Sequence, residues 1–239
     1  ITSGALEGLN LSLQIVTRPG DTVAIESPSF YGCLQAIQAA GLKAVEIPTH
    51  PRDGVDVAAL ASAIAEHDIK AWWFMTSFQN PTGATVPPEA KRALVALLGK
   101  HEIPLIEDDV YAELYFGSDR PKSAKAFDTK GLVLSCGSFS KCLAPGYRLG
   151  WVVAGRFARH LQRRKITSTL ATSIPIQNGI ALVLRQEAFD AHLERLRRTL
   201  ATQQRAMIAC VRKHFPAHRI TIPSGGYFLW IELDRAVDA

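Results

Sequence analysis

The sequence predicts an α/β fold, a mostly parallel sheet with helices on both faces, and three observations predict it. Amphipathic helix patterns alternate with short apolar runs along most of the chain. Several of those runs, such as Ile69 to Met75, are apolar almost throughout, as strands buried on both faces are. Polar residues of complementary kinds stand directly after three of them, where ligands gather in sheets of this type.

The elements follow in order. Ala5 to Arg18 has a helix pattern closed by Pro19-Gly20, Thr22 to Glu26 reads as a strand, Phe30 to Ala40 as a helix ended by Gly41, and Lys43 to Ile47 as a strand. Val57 to Glu66 is the next helix, Ile69 to Met75 a buried strand, Pro88 to Lys100 a helix opened by prolines, and Pro104 to Glu107 and Leu132 to Cys136 two further strands. Strands and helices in alternation imply parallel pairing with crossovers. After about Thr167 helices dominate, including a long one over Ala188 to Phe215, and a strand-pair candidate ends at Gly225 to Leu233. We expect residues 1–186 to form a large domain and 187–239 the start of a smaller one. The chain begins at Ile1 without methionine and ends at Asp238-Ala239 without a closing element, which reads as a piece of a longer protein.

Composition narrows the function classes. The chain has 239 residues, 47% hydrophobic and 21% charged, enough for one large or two small cores. No apolar run approaches the roughly 20 residues needed to span a bilayer, and no signal segment opens the chain. Cys33, Cys136, Cys142 and Cys210 show no CxxC spacing, so packing roles in a reducing, cytoplasmic setting are expected. His214 and His218 are four apart, but Pro216 between them breaks the helix that would align them for a metal. The net charge is +5 with histidines neutral, and Arg156, Arg159, His160, Arg163 and Arg164 fall on one expected helix. Such a face is ordinarily solvated, and direct DNA binding by this segment is not expected.

Chemistry concentrates at the strand ends. Ser77-Phe78-Gln79-Asn80-Pro81-Thr82-Gly83 follows one strand, Glu107-Asp108-Asp109-Val110-Tyr111 another, and Ser138-Phe139-Ser140-Lys141 a third, with Arg148 seven residues on. Lys141, expected to be a buried amine crowded by two small hydroxyl residues, reads as a nucleophile toward carbonyls. Thr2-Ser3-Gly4-Ala5 precedes a helix, so free N–H groups and the positive helix end suit a phosphate. A carboxylate, an amide, a phenol and an amine in one crevice suit a phosphorylated aromatic aldehyde.

The set Thr2-Ser3-Gly4, Asn80-Pro81-Thr82-Gly83, Asp108-x-x-Tyr111 and Ser138-x-Ser140-Lys141 with Arg148 resembles the class I/II aminotransferases of fold type I, which use pyridoxal 5′-phosphate. The run Cys136 to Trp151 and Pro223 to Trp230 resemble more narrowly the aminotransferase-like domain of MocR-type, GntR-family transcription regulators. The resemblance implies that Lys141 forms an internal aldimine and then moves the proton, and that Asp108 keeps the pyridine nitrogen protonated. It implies that Asn80 and Tyr111 bond the ring hydroxyl and that Phe30 stacks on the ring. The phosphate would be held by Gly4 and Ala5 N–H groups, Ser138, Ser140 and Arg148. The activity implied is amino-group transfer between an α-amino acid and a 2-oxo acid. The alternative is sensing of the cofactor or an amino-compound effector, with DNA bound by a domain outside this segment. A homodimer is implied for the full-length protein. Ala5 and Leu6 stand where relatives often carry a hydroxyl residue and a glutamine, which implies a weaker phosphate grip.

Overall fold

Residues 1–233 are described by the computed structural model. One sheet of seven strands organises them, in the order β3-β2-β1-β4-β5-β6-β7. The strands are β1 (Thr22–Ser27), β2 (Lys43–His50), β3 (Gly54–Val55), β4 (Ile69–Phe74), β5 (Leu105–Asp108), β6 (Val133–Ser138) and β7 (Gly150–Val153). Strands β2, β1, β4, β5 and β6 are parallel neighbours, while β3 and β7 add antiparallel edges. The chain runs outward from β1 to β2 and β3, then returns to pair β4 on the other side of β1. That reversal opens a crevice beyond the carboxyl ends of β1 and β4, the place where such sheets bind ligands.

Alternation of side chains along the strands divides two cores. Val23, Ile25, Trp73, Ile106 and Cys136 face α1 (Ala5–Val16) and α2 (Tyr31–Ala39), packing with Leu9, Leu13 and Ile37. Ala24, Trp72, Phe74, Leu105 and Val133 face α3 (Val57–Glu66) and α4 (Pro88–Lys100), packing with Leu60, Leu94 and Leu98. Each such fully buried side chain contributes about 1.5–3 kcal/mol. Trp72 and Phe74, two apart and so on one face, stack with centroids 4.5 Å apart.

Helix ends follow local chemistry. The first helix ends at Val16, short of the expected Arg18, because Thr17 turns to extended backbone and its Oγ1 donates to Leu13 O at 2.7 Å. Asp56 caps α3 by accepting from Ala58 and Ala59 N–H at 2.8 and 3.2 Å. Beyond the sheet come α5 (Ala158–Thr169), α6 (Ile174–Leu184), the long α7 (Glu187–His214) and an antiparallel pair, β8 (Arg219–Ile220) with β9 (Ile231–Glu232). Arg156 falls before α5, in a short 3-10 turn, and pairs with Glu102 at 2.7 Å, so it is not part of the basic helix face expected from sequence. Cys33, Cys136 and Cys142 are buried as packing residues, whereas Cys210 is exposed. Among the described residues no helix is long and apolar enough to cross a membrane.

Candidate cofactor site at the strand ends

The crevice holds a cavity of about 450 Å³, and residues from four strand ends reach it. Phe30 follows β1, Asn80 follows β4, Asp108 closes β5, and Ser138, Ser140 and Lys141 follow or end β6. Four parallel strands ending on one side deliver these residues to one wall although as many as a hundred and eleven positions separate them in sequence, from Phe30 to Lys141.

Asp108 is the floor. It is only 3% exposed, and its Oδ1 is buried without a hydrogen-bond partner. Burial raises its carboxyl to about 7, against the pull of the Val110 N–H and the Lys141 charge. A buried carboxylate oxygen without a donor is costly, and Asp108 lines the cavity. Tyr111, three residues on, is also buried, and both Tyr227 and Phe228 meet its ring edge-on, at 5.3 and 5.4 Å. Burial pushes its phenol well up, Tyr227 adds to this, and the Asn80 amide works the other way. That phenol stays a hydrogen-bonding group at any physiological pH.

Lys141 is exposed, contrary to the buried amine expected from sequence. It lies past the end of β6, in a turn facing the open crevice, and its Nζ sits 5.8 Å from the Tyr111 ring centroid. An amine there is accessible to a small carbonyl compound.

The anion-binding end is assembled by a bridge. Thr2 N–H donates to Gly150 O and Gly150 N–H to Thr2 O, each at 2.9 Å, which seats the start of α1 against the start of β7. Arg148, two residues before Gly150, adopts the left-handed region with φ 47°, and its guanidinium donates to Ser140 Oγ at 3.2 Å and Ser3 O at 3.3 Å. Ala5 lines the cavity and Gly4 lies behind it, beneath Arg148. Ser138 Oγ, nearly buried, accepts from Ser140 N–H at 3.4 Å. The N–H groups opening α1, one guanidinium and two hydroxyls thus converge, an arrangement suited to a phosphate dianion.

All ten residues singled out from the sequence lie at this crevice, nine on the cavity wall and Gly4 just beneath it. Sequence reasoning missed Tyr31, Met75, Tyr227 and Phe228 on the wall. Gly225 carried a signal for the last two: a Cβ there would strike the Phe78 ring and Leu114 O, so glycine permits the close bridge to Tyr115 that brings Tyr227 over Tyr111. Glu26 was missed as well. It is buried at the end of β1, where Oε2 accepts the Met75 N–H at 2.9 Å and burial lifts its carboxyl well above the usual range.

The fold is that of the aminotransferases. Residues 1–239, the entire chain, match the family described as aminotransferase class I and II, and the chain belongs to that family. It is 50% identical over 240 residues to the uncharacterized HTH-type transcriptional regulator YdcR of Escherichia coli K12, covering 100% of this chain and 51% of that protein. It is 33% identical over 246 residues to 2-aminoadipate transaminase of Thermus thermophilus, covering 100% of this chain and 61% of that one. In structure it is similar to the kynurenine aminotransferase of Pyrococcus horikoshii, solved with PMP, at TM-score 0.94 and 29% identity over 99% of this chain and 60% of that one. The chain therefore spans between half and two thirds of the length of these relatives.

Gly4 gives a direct test of the anion end. Its φ is +89°, and an added Cβ would collide with the Arg148 guanidinium. Gly4→Ala is expected to weaken pyridoxal 5′-phosphate binding roughly tenfold or more, from about 1–3 kcal/mol of backbone strain and a displaced charge-assisted hydrogen bond. Binding of pyridoxal, which lacks the phosphate, should change far less. Equal losses for the two compounds would show that Arg148 and Gly4 do not face the phosphate.

Proposed function

We propose that this chain is the pyridoxal-phosphate-binding domain of a longer protein and that its site carries out amino-group transfer between an α-amino acid and a 2-oxo acid. The observation that carries the reading is Asp108 Oδ1, buried and without a donor, at the floor of a cleft that also holds an accessible amine and an anion cradle. Bound pyridoxal phosphate supplies an aldehyde carbon that condenses with amines and a protonated ring that draws electrons from the attached carbon.

The chain's residues divide the remaining work. Lys141 Nζ would be the amine that holds the cofactor and, when free, would move a proton at the substrate Cα. Asp108 would pair with the ring nitrogen and keep it protonated, since a cation there would stabilise the ionised carboxylate. Asn80 and Tyr111 serve the ring hydroxyl, Phe30 covers one ring face and keeps water from it, and Arg148, Ser138, Ser140 and the N–H groups of Gly4 and Ala5 hold the phosphate.

A second reading is favoured by one observation. Two helix-turn-helix-type regulators of Escherichia coli, YdcR and YjiR, are 50% and 39% identical to this chain, against 33% for the transaminase. On that reading the same site senses the cofactor or an amino compound, and a DNA-binding domain elsewhere in a homodimeric protein responds. Both readings need Lys141 to carry the cofactor.

The test is borohydride reduction of the full-length protein loaded with pyridoxal phosphate, followed by peptide mapping. A pyridoxyl group on Lys141 is expected, and its appearance on another lysine would overturn the assignment. Exposure of the loaded protein to a panel of amino acids then separates the readings: release of 2-oxo acid supports the transferase, and spectral change without release supports the sensor.

A further inference from the structure

We infer that His192, on α7, is a positioning residue that clamps the turn bearing Lys141. Its Nε2 lies 3.0 Å from Cys142 O, one residue past the lysine. A carbonyl oxygen only accepts, so Nε2 carries the hydrogen, which assigns the neutral Nε2–H tautomer or the imidazolium.

The turn is tight and almost self-contained. Leu143 and Ala144 N–H both donate to Phe139 O, at 2.9 and 3.1 Å, and Cys142 Sγ reaches Ser138 O at 3.8 Å. The Cys142 carbonyl faces α7 instead, and His192 satisfies it. On the other side of Lys141, Ser140 Oγ is held by Arg148 at 3.2 Å. Lys141 thus stands between two anchors, one from β7's approach and one from α7.

Packing repeats the pattern along the helix. One turn before His192, Phe189 meets Phe139 with centroids 6.4 Å apart, and Leu193 is buried in a cluster with Cys142 and Tyr111. One turn after Leu193, Arg197 Nε donates to Glu113 O at 2.8 Å and the guanidinium covers the Tyr115 ring at 3.8 Å. Helix α7 therefore grips both the lysine turn and the loop that follows Tyr111, and a displacement of this helix loosens the amine relative to the Asp108 floor. The consequence for cofactor capture rests on the assignment of Lys141 above; the clamp itself does not.

The experiment compares wild type with His192→Leu, His192→Gln and His192→Asn by hydrogen exchange of the cofactor-free, full-length protein. Leucine removes the donor, glutamine offers an amide N–H at similar reach, and asparagine offers one that is too short. Exchange across residues 140–144 is expected to rise roughly five- to tenfold in the leucine and asparagine variants, the scale of one hydrogen bond, and to return close to wild type with glutamine. The rate of covalent capture of pyridoxal phosphate should fall in the same order. Unchanged exchange in the asparagine variant, or loss spread over the whole chain and not restored by glutamine, would overturn the inference. If wild type captures no cofactor while the exchange pattern holds, the cofactor assignment fails and the clamp stands.

Discussion

Lys141→Ala is expected to lose covalent capture of pyridoxal phosphate completely and amino-group transfer by about 10³-fold or more, the combined scale of losing a nucleophile and a proton carrier. The side chain is the amine that stands exposed in the cleft beside the Tyr111 ring, and the wall residues Asn80, Asp108, Ser138 and Arg148 offer no other primary amine. Lys141→Arg separates the two parts of its role. Arginine keeps a cation near that ring and is expected to preserve non-covalent cofactor binding better than alanine, yet it neither attacks a carbonyl nor exchanges a proton at neutral pH. The measurements are visible absorbance of the loaded protein and release of 2-oxo acid from a panel of amino acids in full-length versions of each variant. Borohydride-fixed cofactor in the Lys141→Ala protein, or release of the oxo acid at the wild-type rate, would remove Lys141 from the site.

Much of this site was legible because its residues sit where periodicity changes. A buried strand reads as an apolar run, and the first polar residues after it mark the sheet's carboxyl edge, so Asn80, Asp108 and Lys141 were placed on one wall from their positions alone. The edge strands were not legible. Two residues, Gly54–Val55, carry no period, and Gly150–Val153 pairs only because Arg148 turns through a left-handed conformation that nothing in the local pattern announces. Exposure of Lys141 also escaped the sequence, since the two small hydroxyl residues Ser138 and Ser140 beside it suggest burial, whereas the turn is held by Phe139 O and by α7 from fifty residues away. Tyr227 and Phe228 enter the site, and His192 reaches the lysine turn behind it, through tertiary packing of the C-terminal segment, a level that spacing does not encode.

Asp108→Asn should weaken chemistry and strengthen the fold, and the two effects have one cause. In the cofactor-free protein burial lifts the Asp108 carboxyl to about 7, against 3.8 for an exposed one. Below 3.8 both folded and unfolded chains hold the proton, and stability is unaffected. Between 3.8 and 7 the unfolded chain ionises while the folded one stays protonated, so stability falls as pH rises, reaching a loss of at most roughly 4 kcal/mol above 7. Asparagine occupies the same space without that ionisation. The variant should therefore melt above wild type at pH 8, with the difference fading toward pH 4. Glu26 and Asp109 are also raised by burial and slope the same way, so the comparison is between variant and wild type at each pH, not along one curve. With pyridoxal phosphate bound, the order reverses for function. An amide cannot hold a proton on the ring nitrogen as an ionised carboxylate does, and exchange of the substrate Cα proton should slow on the order of 10²–10³-fold, the scale of losing one preorganised electrostatic partner. Cofactor affinity, carried mainly by Lys141 and the Arg148 end, should change little. Thermal melts of the cofactor-free chain across pH 4 to 8 and Cα proton exchange in the loaded full-length protein check the two halves separately. Unchanged proton exchange would refute the role at the ring nitrogen, and a variant no more stable than wild type at pH 8 would show that the carboxylate is not an unpaired buried charge.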